Sequence, residues 1–167
     1  MNTPGLGTAP STTPRPRFRS LVLLVALALV AVALAAPPVS AGGPRARPRY
    51  SPQAAVKNSL NADRTANGRA ALKSQADAQA KAQAWANRLA SEGRMYHSTL
   101  RDGIRVRWCS LGENVGYGSS VASVERAYMN SPHHRANILN TKWNGVGVGY
   151  ATRGARVYTV HVFIKTC

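Results

Sequence analysis

Hydrophobic positions in this chain follow three regimes, and each regime predicts a different kind of element. From Leu21 to Ala36 the apolar run is unbroken and uncharged. Past Pro52 the pattern becomes helical: Val56 and Leu60 lie four apart with Ala55 beside them, one stripe of a helix. Ser51 and Pro52 offer an N-cap and a first-turn proline, and Asn67-Gly68 a left-handed end. Lys73 to Glu92 reads as a second, alanine-rich helix with Ala80, Ala84, Trp85 and Leu89 near one face, stopped by Gly93. Leu100 to Trp108, with an Asp102-Gly103 turn signal, reads as a loop. Val121, Val124 and Tyr128 set a third helix over Val121 to Asn130. Ser131-Pro132 starts a short fourth, on which His134 and Ile138 share a stripe, Arg135 and Leu139 the neighbouring one. His133 lies about 100° around that helix from His134, so the two cannot face one pocket, and His133 is read as a surface residue.

The period then falls to two. Gly145 to Tyr150 places Val146, Val148 and Tyr150 on one face and three glycines on the other, a sign of close packing against a helix or chain. After a turn at Arg153-Gly154-Ala155, Val157 to Lys165 alternates, with Val157, Thr159, His161 and Phe163 opposite Tyr158, Val160, Val162 and Ile164. Between the second and third helices, Gly112 to Gly118 holds glycines around Glu113, Asn114 and Val115. An extended backbone there aims Glu113 and Val115 at the interior and Asn114 the other way. Helices packed in layers with an antiparallel sheet make the fold class α+β.

The ends change the picture. Met1 to Pro14 is rich in Thr, Pro and Gly and is not expected to fold. Arg15, Arg17 and Arg19 precede the apolar run, and Val39-Ser40-Ala41 follows it with small residues, the three-part pattern of a secretory signal over residues 1–41, cut after Ala41. The alternative is an uncleaved anchor, against which the run of 16 residues falls short of the roughly 20 that span a bilayer. Residues 42–52 form a Pro/Arg-rich linker, and 53–167 the folded domain. Of 22 Lys and Arg, 3 belong to the signal segment, which leaves 19 against 6 Asp and Glu. The basic residues are scattered and accompany no nucleic-acid-binding pattern, so no nucleic acid is expected. The favoured reading of this charge is solubility with loose electrostatic attraction; for an exported monomer with no membrane span in its mature form, the polyanions it could attract are cell-wall polymers and anionic lipids. The two cysteines, Cys109 and Cys167, suggest one disulfide in an exported chain; free thiols are the alternative.

The order His97…Gly112-Glu113-Asn114…Ser131-Pro132-x-His134-Arg135-Ala136-Asn137-Ile138-Leu139 resembles the CAP superfamily of cysteine-rich secretory, antigen 5 and pathogenesis-related 1 proteins, in its short bacterial form. The resemblance runs from about Gln53 to Cys167 and implies an αβα sandwich. It gives Asn61 and Arg64 the place of an N-x-x-R pair in the first helix, with a structural role, and a structural role likewise to Asn114, Ser131 and Asn137. Two histidines and two glutamates line the family's cleft. Here His97, Glu113 and His134 match three of them, and the fourth falls near Ser131. His161 stands where glutamine is common and faces either the cleft or the sheet interface.

Two histidines and one carboxylate suit zinc or another divalent cation, with a fourth position open to water. With such a cation, Glu113, His134 or His97 becomes a candidate general base in a protease-like hydrolase. Without one, the trio is a hydrogen-bonded network. No nucleophile elbow, HExxH motif or free Cys–His pair supports catalysis. The favoured expectation is a secreted, extracellular protein that binds an extracellular or cell-envelope ligand, with cell-wall association as an option the sequence leaves open. A lipid or sterol carrier is the alternative from outside catalysis, and rests on analogy.

Overall fold

The computed structural model describes residues 51–167; the expected signal segment and nearly all of the linker lie outside them. The chain runs α1 (Pro52–Ala66), β1 (Lys73–Ser74), α2 (Ala76–Glu92), β2 (Trp108–Gly118), α3 (Val121–Asn130), α4 (Pro132–Leu139), β3 (Gly145–Arg153) and β4 (Arg156–Thr166). The strand order is β1-β3-β4-β2. β4 pairs antiparallel with both neighbours, while β1 pairs parallel with β3, Lys73 opposite Gly145 and Ser74 opposite Val146. The sheet is therefore mixed, not purely antiparallel. Lys73 and Ser74, expected in the second helix, belong to it instead: α2 starts later, where Gln75 caps it by accepting from the Ala78 N–H.

One helical layer covers each face. The period of two in β3 explains how α2 seats itself on the first. A Cβ placed on Gly147 would fall 2.0 Å from the Ala78 carbonyl carbon, and one on Gly149 2.0 Å from the Ala82 carbonyl oxygen. Only glycine lets the α2 backbone, itself lined by Ala78, Ala82 and Ala86, approach the strand this closely. Gln79 and Gln83 of α2 then bond the β3 backbone at Val148 and Tyr150. Val115, Tyr158, Val160, Val162 and Ile164 complete that core.

The other face carries Val146, Val148 and Phe163 under α1, α3 and α4, with Val56, Leu60, Val124, Tyr128, Ile138 and Trp143. Asn61 of α1 pairs with the Leu72 backbone through both amide atoms. Arg64, 2% exposed, donates to the carbonyls of Ala70, Ile138 and Asn140, so one guanidinium ties α1 to the loop after it and to the end of α4. Cys109 and Cys167 form a disulfide that joins the start of β2 to the chain's last residue.

Candidate functional site

β2 is an edge strand, and its alternation splits the candidate residues between two faces. Glu113 and Val115 point to the α2 side, as the alternation predicts. Asn114 points to the α3–α4 side, yet it is buried too, because helices cover both faces.

Glu113 is the anchor of its side. Its side chain is 1% exposed. Oε1 lies 2.7 Å from His97 Nδ1 and accepts from the Ser98 N–H at 2.9 Å; Oε2 accepts from the Ser98 hydroxyl at 2.6 Å. Gly93, at φ 67°, ends α2 in the left-handed conformation, and the irregular stretch after it brings His97 and Ser98 back onto β2. The His97 side chain is 61% exposed on the other side of its bond to Glu113.

Across the edge, Asn114 donates to the His134 carbonyl and accepts from Asn137, which also donates to the Glu113 carbonyl. These amides hold α4 to β2 and so set where His134 sits. Ser131 occupies the N-cap position of α4 without capping it; its hydroxyl meets His134 Nδ1 at 2.9 Å instead. Burial lowers the His134 pKa, and positive charge on His97 and His133 lowers it further. His133 is exposed, as expected of a surface residue.

His161 is shut off from solvent. It is fully buried on the α3 side, against the rings of Tyr128 and Phe163, with Nε2 3.4 Å from Glu125 Oε2. Burial, then the nearby His134, depresses its pKa to about 3. Burial, then the negative charge of Asp63, lifts Glu125 to about 8. Sequence reasoning did not single out Glu125. The available signal was its place on α3, next to Val124 and three residues before Tyr128, on the inward face.

Does the trio fit a divalent cation? As three direct ligands it does not. Three donors occupy the Glu113 carboxylate, which has about four acceptor sites. Among the described residues no three His, Cys, Asp or Glu side chains are grouped to hold a metal ion. What remains is a pair of imidazoles, each with Nδ1 fixed by a neighbour, Glu113 for His97 and Ser131 for His134.

Comparison with known proteins gives a consistent answer. The family model for CAP, the cysteine-rich secretory protein family, matches residues 57–167. An outer surface protein of Borrelia burgdorferi superposes with a TM-score of 0.62 at 17% identity, covering 70% of this chain and 93% of that one. An SCP-domain extracellular protein of Bacillus anthracis gives 0.60 at 20% identity, over 69% of this chain and 40% of that one. A cysteine-rich secretory protein of Staphylococcus aureus gives 0.58 at 24%, over 73% and 42%. At such identities the likeness shows the fold. In sequence, the uncharacterized protein YkwD of Bacillus subtilis is 39% identical over 51 residues, 30% of this chain; the match spans about a fifth of that relative.

Proposed function

This chain belongs to the CAP family of cysteine-rich secretory proteins, and from that premise we propose that it is an exported binding module for an anionic ligand of the cell envelope, with no hydrolytic step of its own. The observation that carries this reading is the occupancy of Glu113. A general base needs a lone pair within reach of the proton it takes. Glu113 is 1% exposed, so the one acceptor site that His97 and Ser98 leave on it is closed to water and substrate. The Ser98 hydroxyl proton goes to that carboxylate, so Ser98 is not poised as a nucleophile against His97. The network behaves as a fixed wall.

Export is supported by the three-part pattern of residues 1–41, by the disulfide, and by relatives described as extracellular or outer-surface proteins. Among the described residues no helix is long and apolar enough to cross a membrane. The excess of 19 Lys and Arg over 6 acids after residue 41 supports an anionic ligand.

A second reading has one observation in its favour. With Nδ1 of His97 and His134 each held by a neighbour, Nε2 is the nitrogen left for a ligand, the arrangement that second-sphere partners give metal-binding histidines. The two rings would then hold a divalent cation, Glu113 and Ser131 orienting them, and the cation would supply Lewis acidity.

The test uses the purified chain against anionic and uncharged polysaccharides at low and high salt, with zinc calorimetry alongside. Salt-sensitive binding of the anionic polymer, unchanged by chelator, is the expected result. Cleavage of peptide or polysaccharide that Glu113→Gln abolishes would overturn the binding reading. Stoichiometric zinc binding lost in both His97→Ala and His134→Ala would establish the second one.

A further inference from the structure

We propose that the pocket between residues 68–73 and residues 141–144 binds a phosphoryl group, and that this group belongs to a polymer, the anionic envelope ligand inferred above. The inference rests on that binding function and gives it a place and a ligand chemistry. The pocket lies apart from the Glu113 network: neither Glu113, His97 nor His134 lines it.

The site follows from how Arg64 is buried. A guanidinium carries five N–H groups. Nε spends its own on the Ala70 carbonyl, and Nη1 spends its two on the carbonyls of Ile138 and Asn140. The two on Nη2 have no acceptor among the described residues, and Nη2 is not sealed from solvent. No carboxylate offsets the charge. Burial, then the positive charge of Arg69, lowers the Arg64 pKa. A buried cation held only by carbonyls lacks a counter-charge, and an anion at Nη2 would supply one.

Arg64 lines a pocket of about 430 Å³ with Arg69 and Lys73, within the roughly 300–1,000 Å³ usual for ligand sites. Both are exposed, and their side chains meet no acid or hydrogen-bond acceptor among the described residues. None of the chain's six acids is in the lining. The nearest in sequence, Asp63, shares a hydrogen bond with Glu125 and faces Arg135. Asp77, Glu92 and Glu113 are bonded on the α2 side, and Asp102 lies in the loop that Lys81 braces. Three cations therefore meet no opposing charge.

The geometry favours phosphoryl over carboxylate. With Nε and Nη1 spent, Arg64 lacks the parallel pair of N–H groups that clasps a planar carboxylate. A tetrahedral phosphoryl group takes single bonds from several directions, here from Nη2, Arg69 and Lys73. The pocket is also formed in advance. Arg64 fixes the loop at Ala70, the Asn61 amide fixes it at Leu72, and Lys73 enters the sheet opposite Gly145. Less ordering cost remains for binding. Met95, Trp108 and Tyr117, the exposed large apolar side chains among the described residues, lie outside the lining. No apolar anchor for a bilayer accompanies the cations, which favours a polymer over a lipid surface.

The full chain is titrated with a glycerol-phosphate oligomer, an oligo-uronate of equal charge, and vesicles of phosphatidylglycerol in phosphatidylcholine. Arg69→Gln/Lys73→Gln is compared with Arg101→Gln/Arg126→Gln, the same charge change on exposed arginines outside the lining. Arg64 itself is left intact, because its loss would unsettle the fold. The pocket predicts that the first pair weakens the phosphate oligomer by roughly tenfold or more, while the second has little effect. Inorganic phosphate should compete with the oligomer. It should also raise the urea midpoint of the wild type above that in chloride of equal ionic strength, and not that of the first pair. Equal losses from both pairs would overturn the pocket and leave the binding function standing. Uronate bound as tightly as the phosphate oligomer would overturn the phosphoryl chemistry alone. Tighter binding to vesicles than to the oligomer would overturn the polymer as the source. Failure of the wild type to bind any of the three would remove the binding function itself.

Discussion

His161 and Glu125 face each other at 3.4 Å beneath α3, and at neutral pH the pair is not an ion pair. Each group is held in its neutral form by burial. Asp63 of α1 adds negative charge beside Glu125, His134 of α4 adds positive charge beside His161 once it is protonated, and the Tyr128 ring, whose own pKa burial raises, touches both histidines.

The consequence is a stability profile with two edges. Glu125 is raised from 4.5 to about 8, so the folded state keeps a proton that the unfolded chain has lost, and stability falls as pH rises through that window. His161 is depressed from 6.5 to about 3, so the unfolded chain takes a proton that the folded one refuses, and stability falls as pH drops from 6.5. Between 4.5 and 6.5 the two slopes oppose each other. From 6.5 to 8 only the Glu125 slope remains, on the order of 2 kcal/mol in all. Urea midpoints of the wild type should decline from about pH 6.5 to 8, and those of Glu125→Gln should stay level. A variant that declines as steeply as the wild type removes Glu125 from the account.

Arg64 is expected to matter more than its helix position suggests. Its three carbonyl partners belong to two segments, the loop after α1 and the end of α4, and one guanidinium spans both. Arg64→Met keeps the apolar stem but leaves those carbonyls without a donor, at a cost of about 3 kcal/mol or more. Arg64→Lys restores a charge without the fork that spans both segments, so it should recover only part of the loss. Equilibrium unfolding of the three proteins decides it, and a Met variant within about 1 kcal/mol of wild type would show that water replaces the guanidinium.

What was legible in the sequence follows from which forces leave a period. Gly147 and Gly149 announced a close contact with a helix or chain because the requirement for close approach repeats every second residue; that the partner is α2 came from the structure. Glu113 was placed on the correct face for the same reason, but the burial of Asn114 was not visible, since alternation reports sides and not what covers them. β1 left no trace: Lys73 and Ser74 are both exposed, and only their partner β3 makes them a strand. Glu125 escaped notice because an acid within an apolar stripe reads as surface until Asp63 and His161, distant in sequence, close over it. The loop's anchorage was hidden likewise, as the Asp102-Gly103 turn predicts a loop but not that Lys81 of α2 braces it through the Thr99 and Asp102 carbonyls.

The disulfide makes a last expectation definite. Cys109 and Cys167 are 58 residues apart, their Cα atoms 5.1 Å apart, and the flanking pair Trp108–Thr166 is already in register between β2 and β4. The bond therefore closes a long loop that folding closes anyway, and its contribution comes chiefly from the unfolded state, about 4 kcal/mol in the chain-entropy model. Cys109→Ser/Cys167→Ser should unfold at lower urea by up to that amount while keeping its secondary structure and the Glu113 network farther along β2. Circular dichroism and urea titration, repeated on the wild type with reductant, should agree with each other. A double variant as stable as the oxidised wild type would mean that the unfolded chain is already constrained near this loop without the bond.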